Sequence, residues 1–316
     1  MRKIIFAVAF LLLVSLSVVP VMAAREQHVG VLHRFVSLQP GLNAEGLVAH
    51  SGHFYLSTFS FTASDGTILI YDHDGTLEKT ITIPGLPDVG QLAFSEDHLY
   101  AVAGNLATGK GAILQVNPES GSITILASGF KLPNGLAVDE KGNLFITDLL
   151  AGTVSKVTED GAVSVFASGP LLAPDLVPQI GLTLGPNDLA FDNKGTTLYV
   201  TNLGKATVVK IIVGSDGTAG AITDFAAAPT PDGLAFDVEG NLYVTSPFSN
   251  AIFLLSRDGS SQQVSFDTSH ETLSNPTNLA FVGNEVYITS GAFSLPGPAH
   301  ISLVEVRFPG LPLENG

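Results

Sequence analysis

The chain has 316 residues, no cysteine, no tryptophan and a formal net charge of −15. Without cysteine there is no disulfide, no thiolate metal site and no cysteine nucleophile. The acid excess disfavours nucleic acid and anionic membranes as partners and favours cations, and a chain of this length buries enough core to stand without covalent staples.

The N-terminus opens Met1-Arg2-Lys3, runs apolar from Ile4 to Val19 and ends in the small residues Ala23-Ala24. A basic start, an apolar middle and a small-residue cleavage site predict a secretory signal peptide over residues 1–23. The apolar run is short for a spanning helix, which needs about 20 residues. The expected mature protein is therefore residues 24–316, a single domain and a monomer, secreted or periplasmic, with no membrane attachment.

From residue 45 onward one sentence is written six times. Its fifth copy is Asp232-Gly233-Leu234-Ala235-Phe236, a turn, then Leu242-Tyr243-Val244-Thr245. The other copies begin at Glu45, Gly90, Asn134, Asn187 and Thr277, so the step is 44–45 residues except for one of 53. Each copy holds an apolar strand, a Gly- or Asn-bearing turn and a second strand rich in β-formers. A third strand follows, such as Thr67-Ile68-Leu69-Ile70-Tyr71, and then a polar turn such as Asp74-Gly75 or Asp258-Gly259. Four strands at this period predict an all-β fold, a six-bladed β-propeller with four-stranded blades.

The sixth copy runs out after Ile301 to Val306, one strand short, while a strand-like run, Val29 to Leu38, precedes the first copy. The N-terminal strand is expected to complete the last blade and remove the exposed edges of an open array. The long step places its surplus in Gly169 to Gly185, an apolar, proline-bearing stretch leading into Asn187. It reads as a loop beside the channel mouth, either a lid or a packed surface loop. Asp72-His73-Asp74-Gly75 lacks the later glutamate of a calcium loop and reads as a turn.

In a propeller the first strand of each blade lines the central channel, so the residues just before those strands form a ring at one mouth. Here that ring is Glu45, Gly90, Asn134, Asn187, Asp232 and Thr277. Every donor is a hard oxygen, a set that suits Ca²⁺, with Mg²⁺ or Mn²⁺ as options, and argues against Zn²⁺. Taken singly, Asn134, Asn187 and Asp232 also read as turn residues. Glu45 does not, since glutamate is depleted at strands, and a second carboxylate facing Asp232 across a narrow channel calls for a cation. His270, in Ser269-His270-Glu271-Thr272, could reach the mouth as an acid or base or to hold substrate, although a bare loop histidine is the simpler reading.

The motifs Ala44-Glu45-Gly46, Pro133-Asn134-Gly135, Pro186-Asn187-Asp188 and Pro231-Asp232-Gly233, in that order, make the chain resemble the SMP-30/gluconolactonase/luciferin-regenerating-enzyme family of calcium-dependent six-bladed propellers. The resemblance implies a hydrolase of lactones or esters. It implies a divalent ion held by Glu45, Asn187 and Asp232, with Asn134 beside it for metal or substrate, Thr277 facing the substrate, and Asp232 as base. Where sugar-lactonase members carry an arginine two residues before the blade-three asparagine, this chain has Leu132, which turns the expectation toward a more apolar lactone or ester. The Pro-x-Gly-Leu-Ala-Phe-Asp wording also resembles NHL repeats, so a non-catalytic binding propeller with a structural calcium stands as the alternative.

Overall fold

The computed structural model describes residues 30–311 except 265, 267, 269, 270, 295 and 296. The expected signal peptide and His270 lie outside the described residues. Six four-stranded antiparallel sheets follow one another along the described chain, together with one two-stranded sheet. Blade one is Asn43–His50, His53–Phe59, Gly66–Asp72 and Leu77–Ile83, and blades two to five repeat this order. The protein is a six-bladed β-propeller.

Blade six takes three strands from the C-terminal end, Pro276–Val282, Glu285–Ser290 and His300–Glu305, and its outer strand is His33–Ser37. His33 pairs with Leu303 and Ser37 with His300. Arg34 adds an ion pair to Glu271. A second tie lies at the opposite end of the channel. Leu311 N–H donates to the Phe236 carbonyl at 2.9 Å and Val238 N–H to Pro309 at 2.9 Å, strapping the chain's end across blades five and six.

The core lies between blades. One leucine in each inner strand, Leu47, Leu92, Leu136, Leu189, Leu234 and Leu279, is only 2–4% exposed. Burying such a side chain contributes about 1.5–3 kcal/mol. This repeated leucine holds each inner strand in place and fixes which residue precedes it at the mouth.

The stretch 169–185 is a short hairpin rather than an irregular loop. Asp175–Val177 pairs with Leu182–Leu184, and Gly181, at φ +68°, donates to the Val177 carbonyl at 2.9 Å to close the turn. Val177 and Leu184 point inward to a cluster with Leu132, Leu149 and Leu203. The Asp72 turn is built as a turn, its Oδ1 accepting from the N–H groups of Asp74 and Thr76 at 2.9 and 2.8 Å.

Candidate functional site

In five of the blades the inner strand is bulged at the ring position. The register slips between Ala44 and Leu47, Val89 and Leu92, Pro133 and Leu136, Pro186 and Leu189, and Pro276 and Leu279. A bulge interrupts the ladder and re-aims a side chain. Here it frees two residues per blade from pairing, the ring residue and the one after it.

A hydroxyl on the second strand repairs the interrupted ladder. Ser57, Thr147, Thr201 and Thr289 accept the N–H of Gly46, Gly135, Asp188 and Asn278 at 2.8, 2.7, 2.8 and 2.7 Å. The same hydroxyls then reach the next blade. Ser57 donates to the Gly90 carbonyl at 2.6 Å, Thr201 to Asp232 at 2.7 Å and Thr289 to Glu45 at 2.9 Å, and Thr147 donates to Asn187. In blade five Thr245 donates to the Thr277 carbonyl at 2.7 Å. Five ring residues are thus held by their carbonyls from the neighbouring blade. Blade two has Val102 at this place and makes no such bond. Its ring residue is Gly90, where a Cβ would stand 2.4 Å from the Asn134 carbonyl oxygen. The blank in the ring is a close approach of backbones.

The ring side chains meet in pairs. Asn134 Nδ2 donates to Glu45 Oε1 at 3.1 Å, between blades three and one. Asn187 Nδ2 donates to Asp232 Oδ1 at 2.7 Å, between blades four and five. Asn187 and Asp232 are buried, at 4% and 7% exposed, while Glu45 and Asn134 are half-buried. Asn187 Oδ1 is buried without a hydrogen-bond partner. Thr277, expected to face a substrate, has its hydroxyl engaged by the Ala44 carbonyl at 3.0 Å and by Thr289 at 2.9 Å.

One residue deeper lies a second layer that the motif reading missed. The residue after each ring position is Gly46, Gln91, Gly135, Asp188, Gly233 and Asn278 in turn. Glycine and polar side chain alternate around the channel, because each glycine lies where a neighbour's backbone crowds in. A Cβ at Gly233 would be 2.6 Å from Asn278 Cα. Asp188 is the charged member. It accepts from Leu189 N–H at 2.8 Å, and from Leu234 N–H and Asn278 Nδ2 at 3.3 Å each. Gln91 Nε2 in turn donates to Asn278 Oδ1 at 3.3 Å. The alternation was the signal in the sequence that could have revealed this layer.

Burial raises the proton affinity of these carboxylates, and for Glu45 and Asp232 neighbouring acids add to it. Burial pushes Glu45 up to about 7, with the charges of Asp188 and Asp88 adding to it and the Asn134 hydrogen bond opposing it. Burial pushes Asp188 up to about 7 against its three N–H donors. Asp232 is held well above the usual carboxylate range, by burial first and then by the charges of Glu45 and Asp188. Burial also raises Asp88, which sits at the mouth on blade two. A cluster of buried acids in this state is an electrostatic well for a cation.

Among the described residues no three His, Cys, Asp or Glu side chains group tightly enough to hold a metal by themselves. The donor set here is mixed: two carboxylates, Glu45 and Asp232, and two amides. The orphaned Asn187 Oδ1 lies beside Asp232, where an ion would give it a partner. Glu45, Asn187 and Asp232 therefore fit a hard divalent cation, with Asn134 on its flank.

The family model described as the SMP-30/Gluconolactonase/LRE-like region matches residues 67–292. A gluconolactonase of Zymomonas mobilis is 28% identical over 173 residues, covering 48% of this chain and 48% of that enzyme. The alignment thus spans about half of the relative's length. A solved gluconolactonase from Xanthomonas campestris superposes with a TM-score of 0.65 at 19% identity, covering 87% of this chain and 89% of that one. The calcium-binding protein regucalcin from Agrobacterium tumefaciens superposes with a TM-score of 0.60 at 18% identity, covering 88% and 98%. These two likenesses are likenesses of fold. The match of the family model across most of the propeller shows that the chain belongs to the SMP-30/gluconolactonase/LRE-like family.

Proposed function

We propose that this chain is a divalent-metal-dependent hydrolase of lactones or esters, acting outside the cytoplasm after loss of residues 1–23. The observation that carries the proposal is the Asn187–Asp232 pair, a buried carboxylate locked by an amide whose other atom, Oδ1, has no partner. Family membership supports the lactonase class, and the gluconolactonase relative gives it a substrate type.

In this reading Glu45, Asn187 and Asp232 would hold the ion, with Asn134 beside it, and Ca²⁺ suits the all-oxygen set better than Zn²⁺. When bound, such an ion polarises a carbonyl oxygen and stabilises the negative charge that builds on it. The chain's own part is positioning and proton transfer. Asp232 is fixed by Asn187 and by the Thr201 latch on its carbonyl. Held ionised beside the ion, its carboxylate would accept the proton of an attacking water. Water adds to the lactone carbonyl, its proton passes to Asp232, the ring C–O bond breaks, and Asp232 returns the proton to the leaving alkoxide. The four carboxylates around the mouth favour a neutral substrate over an anionic one.

The test is a panel of lactones and aryl esters assayed with calcium, magnesium or manganese and after chelation. Metal-dependent hydrolysis, lost in Asp232→Asn, is expected. Calcium binding without turnover of any substrate would replace this reading with a binding propeller that carries a structural calcium.

A further inference from the structure

The loops on the mouth side of the ring are apolar in a continuous band. Phe59 pairs with Asn43, two residues before Glu45, so it stands at the mouth end of blade one. From there an aromatic series crosses the face. Phe61 and Phe59 have ring centroids 5.4 Å apart, Phe59 and Phe293 5.8 Å, and Phe293 and Phe248 5.6 Å, each edge to face. Phe293 lies beside the ring residue Thr277. A Cβ at Gly291 would stand 2.8 Å from Phe293 Cδ1 and 3.2 Å from the Thr277 methyl, so Gly291 makes room for the aromatic ring there. At its far end Phe248, carried on the 3₁₀ turn Pro247–Ser249, packs on the cluster of Leu132, Val177 and Leu184. Leu132 is two residues before Asn134. The band therefore joins blade one, through blades six and five, to the hairpin of blades three and four.

The blade-one end of this band is open to water, where Phe61 is 69% exposed. Singly exposed hydrophobic side chains are ordinary. A series of touching aromatic rings that starts at an exposed phenylalanine, passes the ring residue Thr277 at Phe293 and ends on the apolar cluster at Phe248 is a track. Edge-to-face pairs hold their geometry, so the track exists before anything lies on it.

We infer that the substrate of this mouth is a neutral lactone or ester bearing an alkyl chain of several carbons, with the carbonyl over the Glu45–Asn187–Asp232 ring and the chain along the phenylalanine track. The inference rests on the hydrolase reading for the chemistry at the ring, and on the track alone for binding. A polyhydroxylated lactone would lay its hydroxyls along phenylalanine rings, which accept no ordinary hydrogen bond, and bury polar groups at a cost.

The experiment has two arms, both on the calcium-loaded full mature chain. The first measures kcat/KM for γ-lactones of one ring size with alkyl substituents of increasing length, against gluconolactone. Each methylene that lies fully on the track should raise kcat/KM about fourfold, the equivalent of ~0.8 kcal/mol. The second measures binding of the matching γ-alkyl lactams by calorimetry, which needs no turnover. Phe61→Ser, at an exposed position where folding should survive, and Phe248→Ser should each flatten the chain-length slope in both arms, with melting temperature as the control. A slope that is flat or falling in both arms, or one unmoved in Phe61→Ser and in Phe248→Ser, overturns the inference. If lactams bind in proportion to chain length while no lactone or ester is hydrolysed, the track stands and the hydrolase reading fails. If gluconolactone is hydrolysed and lactam binding ignores chain length, the hydrolase stands and the track fails.

Discussion

Two carboxylates at the mouth each accept a hydrogen bond from an asparagine, yet they are held differently. Glu45 is half-buried, on a longer side chain, and its partner Asn134 comes from a blade that is not its neighbour. Asp232 is buried, on a short side chain, and its partner Asn187 belongs to the adjacent blade. The carbonyls of both residues are latched, by Thr289 and Thr201. The backbone is therefore equally fixed at the two places, and the difference lies in the side chains. Glu45 can adjust to an ion of a given size, and Asp232 cannot. In the proposed function, Glu45 would then tune metal affinity and Asp232 would serve the chemistry.

The sharpest way to break that division is to remove the ion. Without it, Glu45, Asp188 and Asp232 repel one another in a poorly solvated channel, and protons must take the cation's place. Chelation is expected to abolish hydrolysis. It should also lower the melting temperature by roughly 4–5 °C, the effect of a ligand present at about 100 times its dissociation constant on a domain of this size. Calcium should restore both. Unchanged activity and melting in excess chelator would reduce the ring to turn chemistry.

Asp232→Asn comes next. It removes the proton acceptor and one buried charge while keeping the shape. Turnover should fall by about 10²–10⁴, the usual contribution of a positioned base. The metal-free variant should melt no lower than the metal-free wild type, because an uncompensated buried charge has gone. Wild-type turnover on a good substrate would remove Asp232 from the base role. Glu45→Gln should act on the other side of the comparison. Its apparent calcium affinity should fall by at least about tenfold, with kcat recovered at saturating calcium. A kcat that stays low at any calcium concentration would merge the two roles.

The metal-free protein should also show an unusual pH dependence. The proton affinity of Glu45 is raised from 4.5 to about 7 and that of Asp188 from 3.8 to about 7. Between the unfolded and folded values the native state binds more protons than the unfolded chain, so stability falls as pH rises. The metal-free protein should therefore melt higher at pH 5 than at pH 8 in its response to these groups. With calcium bound the carboxylates stay ionised, and the difference should shrink or reverse. Paired melting curves with calcium and with chelator at both pH values check the sign.

Much of this architecture could be read from the chain. The six-fold period, the missing strand of blade six and the ring of Glu45, Asn134, Asn187, Asp232 and Thr277 all follow from local spacing, because each blade is a local unit. What escaped depends on contacts between blades. Thr147, Thr201, Thr245 and Thr289 read as ordinary β-formers, and nothing in a strand's own sequence says that its hydroxyl reaches the next blade. Asp188 enters the sequence reading only as the last letter of Pro186-Asn187-Asp188, and only the closed channel shows it bonded to blades five and six. The phenylalanine track joins residues 59, 248 and 293, too far apart in sequence for any pattern to link them. The strands of the 169–185 hairpin are three residues each, below the length at which alternation is legible.

The smallest effect separates the latched seams from the seam between blades two and three. Thr201→Val and Thr245→Val each delete a buried hydroxyl that donates to a ring carbonyl at 2.7 Å. Loss of such a bond, with the carbonyl left unpaired, costs about 1–3 kcal/mol, which on a domain of this size lowers the melting temperature by a few degrees. Thr201→Val releases Asp232 and should also lower kcat, whereas Thr245→Val releases only Thr277 and should leave kcat near wild type. The seam at Val102 offers the converse. Gly90 lets the Asn134 backbone approach there, and a Cβ built on it would also stand 2.9 Å from Val102 Cγ2. Gly90→Ala would drive a methyl into the Asn134 carbonyl at 2.4 Å, with no flexible side chain to yield. It should therefore destabilise the fold by more than loss of a latch, and should move Asn134 off Glu45, so that calcium affinity falls while Asp232 stays in place. If Gly90→Ala melts like the wild type and binds calcium as tightly, the blank in the ring is not a packing requirement, and the seam between blades two and three has room for a side chain.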